Sequence, residues 1–153
     1  MTDWISLLPF LGAVTLVGAS GVMFMPGDWY KTLDKPSWTP PDWLFGPAWT
    51  TLYLMIAVAG WLVWQADGIG PAMVAWAINL VLNAVWSWLM FGRHRVLLAL
   101  ADAAGMVATI VAFIWFALPH SPTAAALFIP YLAWTLFATA LNADILKRNP
   151  RYA

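Results

Sequence analysis

Residues 103–143, AAGMVATIVAFIWFALPHSPTAAALFIPYLAWTLFATALNA, form a run of 41 residues without a formal charge, fenced by Asp102 and Asp144. A helix rises about 1.5 Å per residue, so crossing roughly 30 Å of hydrocarbon takes about 20 residues, and this run holds two passes. The break falls at Leu118-Pro119-His120-Ser121-Pro122, where prolines end one helix and start the next. Outward from it, the charges fence three more passes, with 24 uncharged residues between Asp3 and Asp28, 24 between Asp42 and Asp67, and 25 between Asp67 and Arg93. The sequence therefore predicts an all-α membrane protein, one bundle of five transmembrane helices at about 5–25, 43–65, 70–91, 96–117 and 122–146.

Composition points the same way. The chain of 153 residues is 63% hydrophobic and 9% charged, with a mean hydropathy of +0.76, which cannot coat a soluble globule. Seven basic against seven acidic residues leave no polybasic surface for nucleic acid. The absence of cysteine excludes disulfides, thiolate metal sites and covalent c-type haem attachment. Continuous apolar runs do not alternate as the strands of a membrane β-barrel would, and no repeat period stands out. Pro47, Pro71 and Pro122 sit near span starts, where a missing donor costs little. Pro130 falls inside the fifth span, so a kink that frees the Ala126 carbonyl is expected there.

Five passes place Lys31, Lys35, Arg93, Arg95, Lys147, Arg148 and Arg151 on one side, which the positive-inside rule makes cytoplasmic. The N-terminus then lies outside and the C-terminus in the cytoplasm. Met1-Thr2-Asp3 lacks a basic region of the signal-peptide kind.

The first loop, residues 26–42, runs for 17 residues where other connections are short, and length of that order implies structure or function. Asp28 is expected to cap a short helix through Leu33 that ends at Pro36, followed by a proline-stiffened path, Trp38-Thr39-Pro40-Pro41-Asp42-Trp43. Trp29, Trp38 and Trp43 read singly as interfacial anchors. Three indoles and Tyr30 on one loop instead favour a lid folded over the helix ends.

Polar side chains within spans are the most informative positions, because a buried amide needs partners. Asn79, Asn83 and Trp86 share one face of the third span, which must look inward. Trp49, Tyr53 and Gly60 mark the second span, and Trp134, Ala138 and Leu141 or Asn142 the fifth. The asparagines read either as hydrogen-bonding glue between helices or as ligand contacts, and the aromatics as bundle packing or a binding slot. Asp102 is expected to be paired with an amide or hydroxyl, or reached by water, rather than catalytic. Rows of small residues, Ala101 and Gly105 and Ala104, Ala108 and Ala112, suit close helix packing. GxGxxG, P-loop, HExxH and GxSxG motifs are absent. The topology separates His94 from His120, so no metal site is expected, while a haem held by a single histidine stays open.

Several spaced motifs carry a resemblance: Trp29-Tyr30, Lys35-Pro36, Trp38-x-Pro40-Pro41, Phe45, Trp49-Thr50-Thr51-Leu52-Tyr53, Leu82-Asn83-x-x-Trp86, Phe91-Gly92, Pro130-Tyr131-Leu132-x-Trp134 and Leu141-Asn142. Over essentially its whole length the chain resembles the translocator protein family, whose bacterial members are called tryptophan-rich sensory proteins. The resemblance implies a five-helix bundle with a cavity near the cytoplasmic helix ends, closed by the first loop. It implies binding of protoporphyrin IX or haem, of benzodiazepine-type ligands and, in animals, of cholesterol, with no required cofactor. Family pocket positions match Tyr30, Trp38, Phe45, Trp49, Asn83, Trp86, Phe91, Trp134, Ala138 and Leu141, and the tryptophans proposed to degrade porphyrins match Trp49 and Trp134. The family's cholesterol motif lacks its tyrosine between Leu141 and Arg148. The resemblance also leaves room for a homodimer, and the helical spans suit a bacterial inner membrane.

An aromatic slot suits a flat macrocycle, whose propionates are expected to meet Lys31, Lys35 or Arg93 at the cytoplasmic mouth. Three functions compete: a tetrapyrrole receptor or carrier, which is favoured; an enzyme breaking porphyrins through Trp49 or Trp134; and a scaffold for other membrane proteins.

Overall fold

The computed structural model describes residues 4–152, so the expectations placed on Met1 to Asp3 lie outside the described residues. A 3-10 turn, Trp4–Leu7, leads into α1 (Leu8–Met23). The first loop carries a short α2 (Asp28–Lys31), and α3 (Asp42–Asp67) follows. Next comes α4 (Pro71–Ser87), which continues as a π-helical turn over Trp88–Gly92. The chain closes with α5 (Val96–Ala117), α6 (Pro122–Arg148) and a 3-10 turn at Pro150–Tyr152. Five helical segments, α1 with its leading 3-10 turn, α3, α4 with its π turn, α5 and α6, are long and apolar enough to cross a membrane. There is no strand among the described residues.

Local chemistry sets the boundaries. Pro71 and Pro122 open α4 and α6, where a ring without an N–H leaves no donor orphaned. Ser121 caps α6 by accepting from the Ala124 N–H at 3.3 Å. Gly68 closes α3 at φ +64°, a conformation that glycine adopts without a side-chain clash. Pro130 sits within an α6 that stays continuous from Pro122 to Arg148. Asp28 does not cap α2. Gly27 holds the cap position, and Asp28 lies in the first turn, where its carboxylate accepts from Lys31 Nζ at 2.9 Å. The ion pair lowers the Asp28 pKa and raises that of Lys31.

The bundle is built around α5, which packs most extensively on α4 and α6, while α3 covers α6 and α1 lies across α3 and α4. Its core is apolar, with Phe113 stacked on Phe128 at 3.8 Å beside Ile56, Val63 and Ile110. Small residues allow close approach. The Trp76 indole of α4 lies across Gly60 of α3 and donates to the Ile56 carbonyl at 2.9 Å, and a Cβ at Gly60 would stand 2.5 Å from the ring. Gly60→Ala is therefore expected to push Trp76 out of its hydrogen bond and cost about 1–2 kcal/mol. Thermal unfolding in detergent checks this, and Trp76→Phe in the same background should recover part of the loss.

Contacts at the two ends fix the topology. The indoles of Trp4 and Trp61 stack at 5.2 Å, and Asp67 approaches His120 at 3.6 Å, so the chain start and the turns after α3 and α5 share one end. At the other end the first loop meets His94 and the tail residues Asn149 and Tyr152. The two histidines lie at opposite ends, and no group of metal-ligating side chains occurs among the described residues.

Candidate functional site

A hydrogen-bond chain crosses the bundle at mid-depth. The Tyr53 hydroxyl donates to Asn83 Oδ1 at 2.9 Å, and Asn83 Nδ2 donates to the Tyr131 hydroxyl at 2.8 Å. Tyr131 donates onward to Asn79 Oδ1 at 2.9 Å, and Asn79 Nδ2 reaches Thr109 Oγ1 at 2.9 Å and the Met106 carbonyl at 3.3 Å. Helices α3, α4, α6 and α5 are thus tied through the buried Asn79, Asn83 and Tyr131 and the half-buried Tyr53 and Thr109, polar groups that in hydrocarbon must find partners inside the protein. Both asparagines act as the glue that the sequence allows for. Asn83 still lines the cavity described next, with its amide oxygen and nitrogen already engaged.

On the lid side of this network lies a cavity of about 20 Å³. Its walls are Trp49 of α3, Asn83 and Trp86 of α4, Ala103 and Met106 of α5, and Thr135 and Ala138 of α6. Ala103, Met106 and Thr135 were missed by the sequence reading. Ala103 and Met106 look like ordinary packing positions on an apolar helix, and Thr135 adjoins the more conspicuous Trp134.

Aromatic rings run from the cavity toward the lid in two lines. Trp49 meets Tyr53 at 5.4 Å, Tyr131 at 6.3 Å and Trp134 at 6.5 Å. Trp134 meets Phe45 at 5.8 Å and Phe137 at 5.9 Å, and Phe137 meets Trp38 at 5.5 Å. The second line is Trp86, Phe91 and Tyr30, each pair edge to face at 5.5 Å. Edge-to-face pairing is the favoured arrangement for such quadrupoles. Trp86 and Phe91 stand five residues apart, and the widened π turn is where Phe91 is delivered. Its signature is the Arg93 N–H bonded to the Trp88 carbonyl at 2.8 Å, five residues back. Leu141 does not line the cavity. It packs with Tyr30, Leu33, Met90 and Val96 under the lid.

The lid itself is docked. The Trp29 indole stacks on His94 at 4.0 Å and donates to the Tyr152 hydroxyl at 2.8 Å. Asn149 pairs with the backbone of Asp34 in both directions, accepting at 3.1 Å and donating at 2.8 Å. Tyr30 and Leu33 are buried, and burial with the nearby Asp42 carboxylate pushes the Tyr30 phenol above its ordinary pKa. Of the three loop indoles, Trp43 is 71% exposed and suits the anchor reading. The expected counter-charges are placed as follows. Lys31 is exposed and paired with Asp28, Lys35 donates to the Tyr30 carbonyl at 2.7 Å from above its ring, and Arg93 lies over Trp88.

Among the described residues, four buried polar atoms have no hydrogen-bond partner: Asp102 Oδ2, Trp134 Nε1, Thr135 Oγ1 and Asn142 Oδ1. The pairing expected for Asp102 is therefore incomplete.

Fold and site define a polytopic α-helical membrane protein with an aromatic-walled internal cavity under a docked loop. The chain belongs to the TspO/MBR family, whose model matches residues 5–148. It is 37% identical over 147 residues to the tryptophan-rich sensory protein of Cereibacter sphaeroides, covering 96% of this chain and 93% of that one. It is 37% identical over 158 residues to the human translocator protein, covering 95% and 91%, and 31% identical to protein CrtK of Rhodobacter capsulatus, covering 90% and 89%.

Proposed function

We propose that this protein is a membrane receptor or carrier that binds a tetrapyrrole, protoporphyrin IX or haem, between α3, α4, α5 and α6 beneath the first loop. The observation that carries this is the continuous aromatic path from Trp49 through Trp134 and Phe137 to Trp38, which offers flat, stiff contact area from mid-membrane to the lid. Ligand pockets for molecules of that class are about 300–1,000 Å³. The observed cavity is about 20 Å³, so entry requires Trp49, Trp86 and the lid to swing outward. With Lys31 held by Asp28, Lys35, which sits over the ring of the buried Tyr30, is assigned to a propionate. All seven basic residues lie on the lid side, which supports a cytoplasmic lid and an inner-membrane location. A homodimer fits the same reading.

Titration of the detergent-solubilised protein with protoporphyrin IX, read by tryptophan quenching, should saturate at one ligand per chain and be displaced by haem. Non-saturating quenching would favour a scaffold. Illumination of the complex separates binding from chemistry: product turnover that Trp134→Phe abolishes while affinity persists would make the protein an enzyme.

A further inference from the structure

The first loop is fastened unevenly. Residues 28–36 are tied to the rest of the chain at several points. The Trp29 indole donates to the Tyr152 hydroxyl at 2.8 Å, Asn149 pairs with the Asp34 backbone at 3.1 and 2.8 Å, and Arg148 approaches the Asp34 carboxylate at 3.8 Å. Tyr30, Leu33 and Pro36 are buried. Residues 37–41 have no such ties. Among the described residues their hydrogen bonds stay local: the Thr39 N–H and Oγ1 donate to the Pro36 carbonyl at 3.0 and 2.7 Å, and the Pro41 carbonyl accepts from the Leu44 N–H at 3.0 Å. Ser37 is exposed and Trp38 is 45% exposed. Trp38 meets Phe137 of α6 edge to face at 5.5 Å, an attachment without a hydrogen bond.

The two halves cover different things. Beneath Trp38 runs the path to the cavity, from Phe137 to Trp134 at 5.9 Å and on to Trp49 at 6.5 Å. The fastened half instead sits on a packed apolar cluster with Met90, Val96 and Leu141, and the second aromatic line ends there on the buried Tyr30. Segments with few buried contacts and no tertiary hydrogen bonds open at the lowest free energy. Pro40 and Pro41 fix the backbone beside Trp38, so the exposed half moves as a stiff strap.

We infer that the loop works in two parts: residues 28–36 are a clasp that stays shut, and residues 37–41, carrying Trp38, are the gate through which a planar apolar ligand reaches Trp134 and Trp49. This rests on the reading of the cavity as a ligand site and names the part of the lid that swings. Opening the gate gives up one aromatic pair, whereas opening the clasp breaks buried hydrogen bonds and uncovers Tyr30 and Leu33, so the gate opens far more often.

Stopped-flow tryptophan quenching reads the association rate of protoporphyrin IX. Trp38→Ala is expected to speed association about fivefold, the worth of an edge-to-face pair. Asn149→Ala, which loosens the clasp, should leave the rate unchanged. So should Asp34→Cys with Asn149→Cys oxidised to a disulfide, a lock placed in a chain that has no cysteine of its own. Amide exchange, which needs no ligand, should be faster at Ser37 and Trp38 than at Leu33 and Asp34. A rate unchanged in Trp38→Ala, a rate that rises as much in Asn149→Ala, entry blocked by the disulfide and restored by reduction, or equal exchange in the two halves overturns the inference. If protoporphyrin fails to bind wild type while the exchange difference is present, the ligand-site reading falls and the division of the loop stands.

Discussion

Asn79→Leu is expected to lower the unfolding free energy by about 2 kcal/mol, because it strips the centre from a chain of buried hydrogen bonds while leaving the partners in place. Asn79 is 0% exposed. It accepts from Tyr131 and donates to Thr109 and the Met106 carbonyl. Leucine fills comparable space, so the loss reports the hydrogen bonds rather than a cavity. The Tyr131 hydroxyl would be left with a proton and no acceptor, in a place no water reaches. Removing that hydroxyl as well, in Asn79→Leu with Tyr131→Phe, should cost less than the sum of the single changes by about 1 kcal/mol. Denaturation in mixed micelles measures all four species. Strict additivity would show that the two side chains do not act as one network.

A second large effect is expected at the lid. Asn149→Ala removes three hydrogen bonds, two to the Asp34 backbone and one to the Ile145 carbonyl. It leaves the bundle core untouched, since Asn149 lies just past the end of α6. At about 1 kcal/mol net for each of the two bonds that hold the lid, opening should become about 30-fold more frequent. Amide hydrogen exchange across residues 28–41 reads this directly, with faster exchange there and unchanged protection in α5. Trp29→Ala should act in the same direction, because it breaks the stack on His94 and the bond to Tyr152. Unchanged exchange in both variants would mean that the loop is held by the burial of Tyr30 and Leu33 alone.

The five helices were legible in the sequence because charge is so costly in hydrocarbon that seven acidic and seven basic residues mark nearly every boundary. The α5–α6 break was legible for a related reason, as Pro119 and Pro122 cannot both lie inside one helix without cost. Asn79 and Asn83 announced an inward face through their spacing. Their partners were not legible, since Tyr53, Thr109 and Tyr131 lie on three other helices and nothing local records which amide atom each will meet. The docking of the lid was hidden in the same way. Asn149 and Tyr152 are more than a hundred residues from Asp34 and Trp29, and pairing at that separation leaves no periodic trace. Asp28 misled because a carboxylate opening a helix suits both a cap and a first-turn ion pair, and Lys31 three residues on decided for the pair.

The most direct test of the cavity as a tetrapyrrole site is protoporphyrin IX titration of wild type beside Ala103→Leu. Ala103 is buried on α5 and lines the cavity, so leucine would fill space that Trp49 and Trp86 also wall while keeping every side chain of the hydrogen-bond network. The account predicts saturable binding by wild type and affinity at least about tenfold weaker in Ala103→Leu, a loss of about 1.4 kcal/mol, with the melting temperature kept within a few degrees. Equal affinity in the two proteins would place the porphyrin elsewhere and contradict the account.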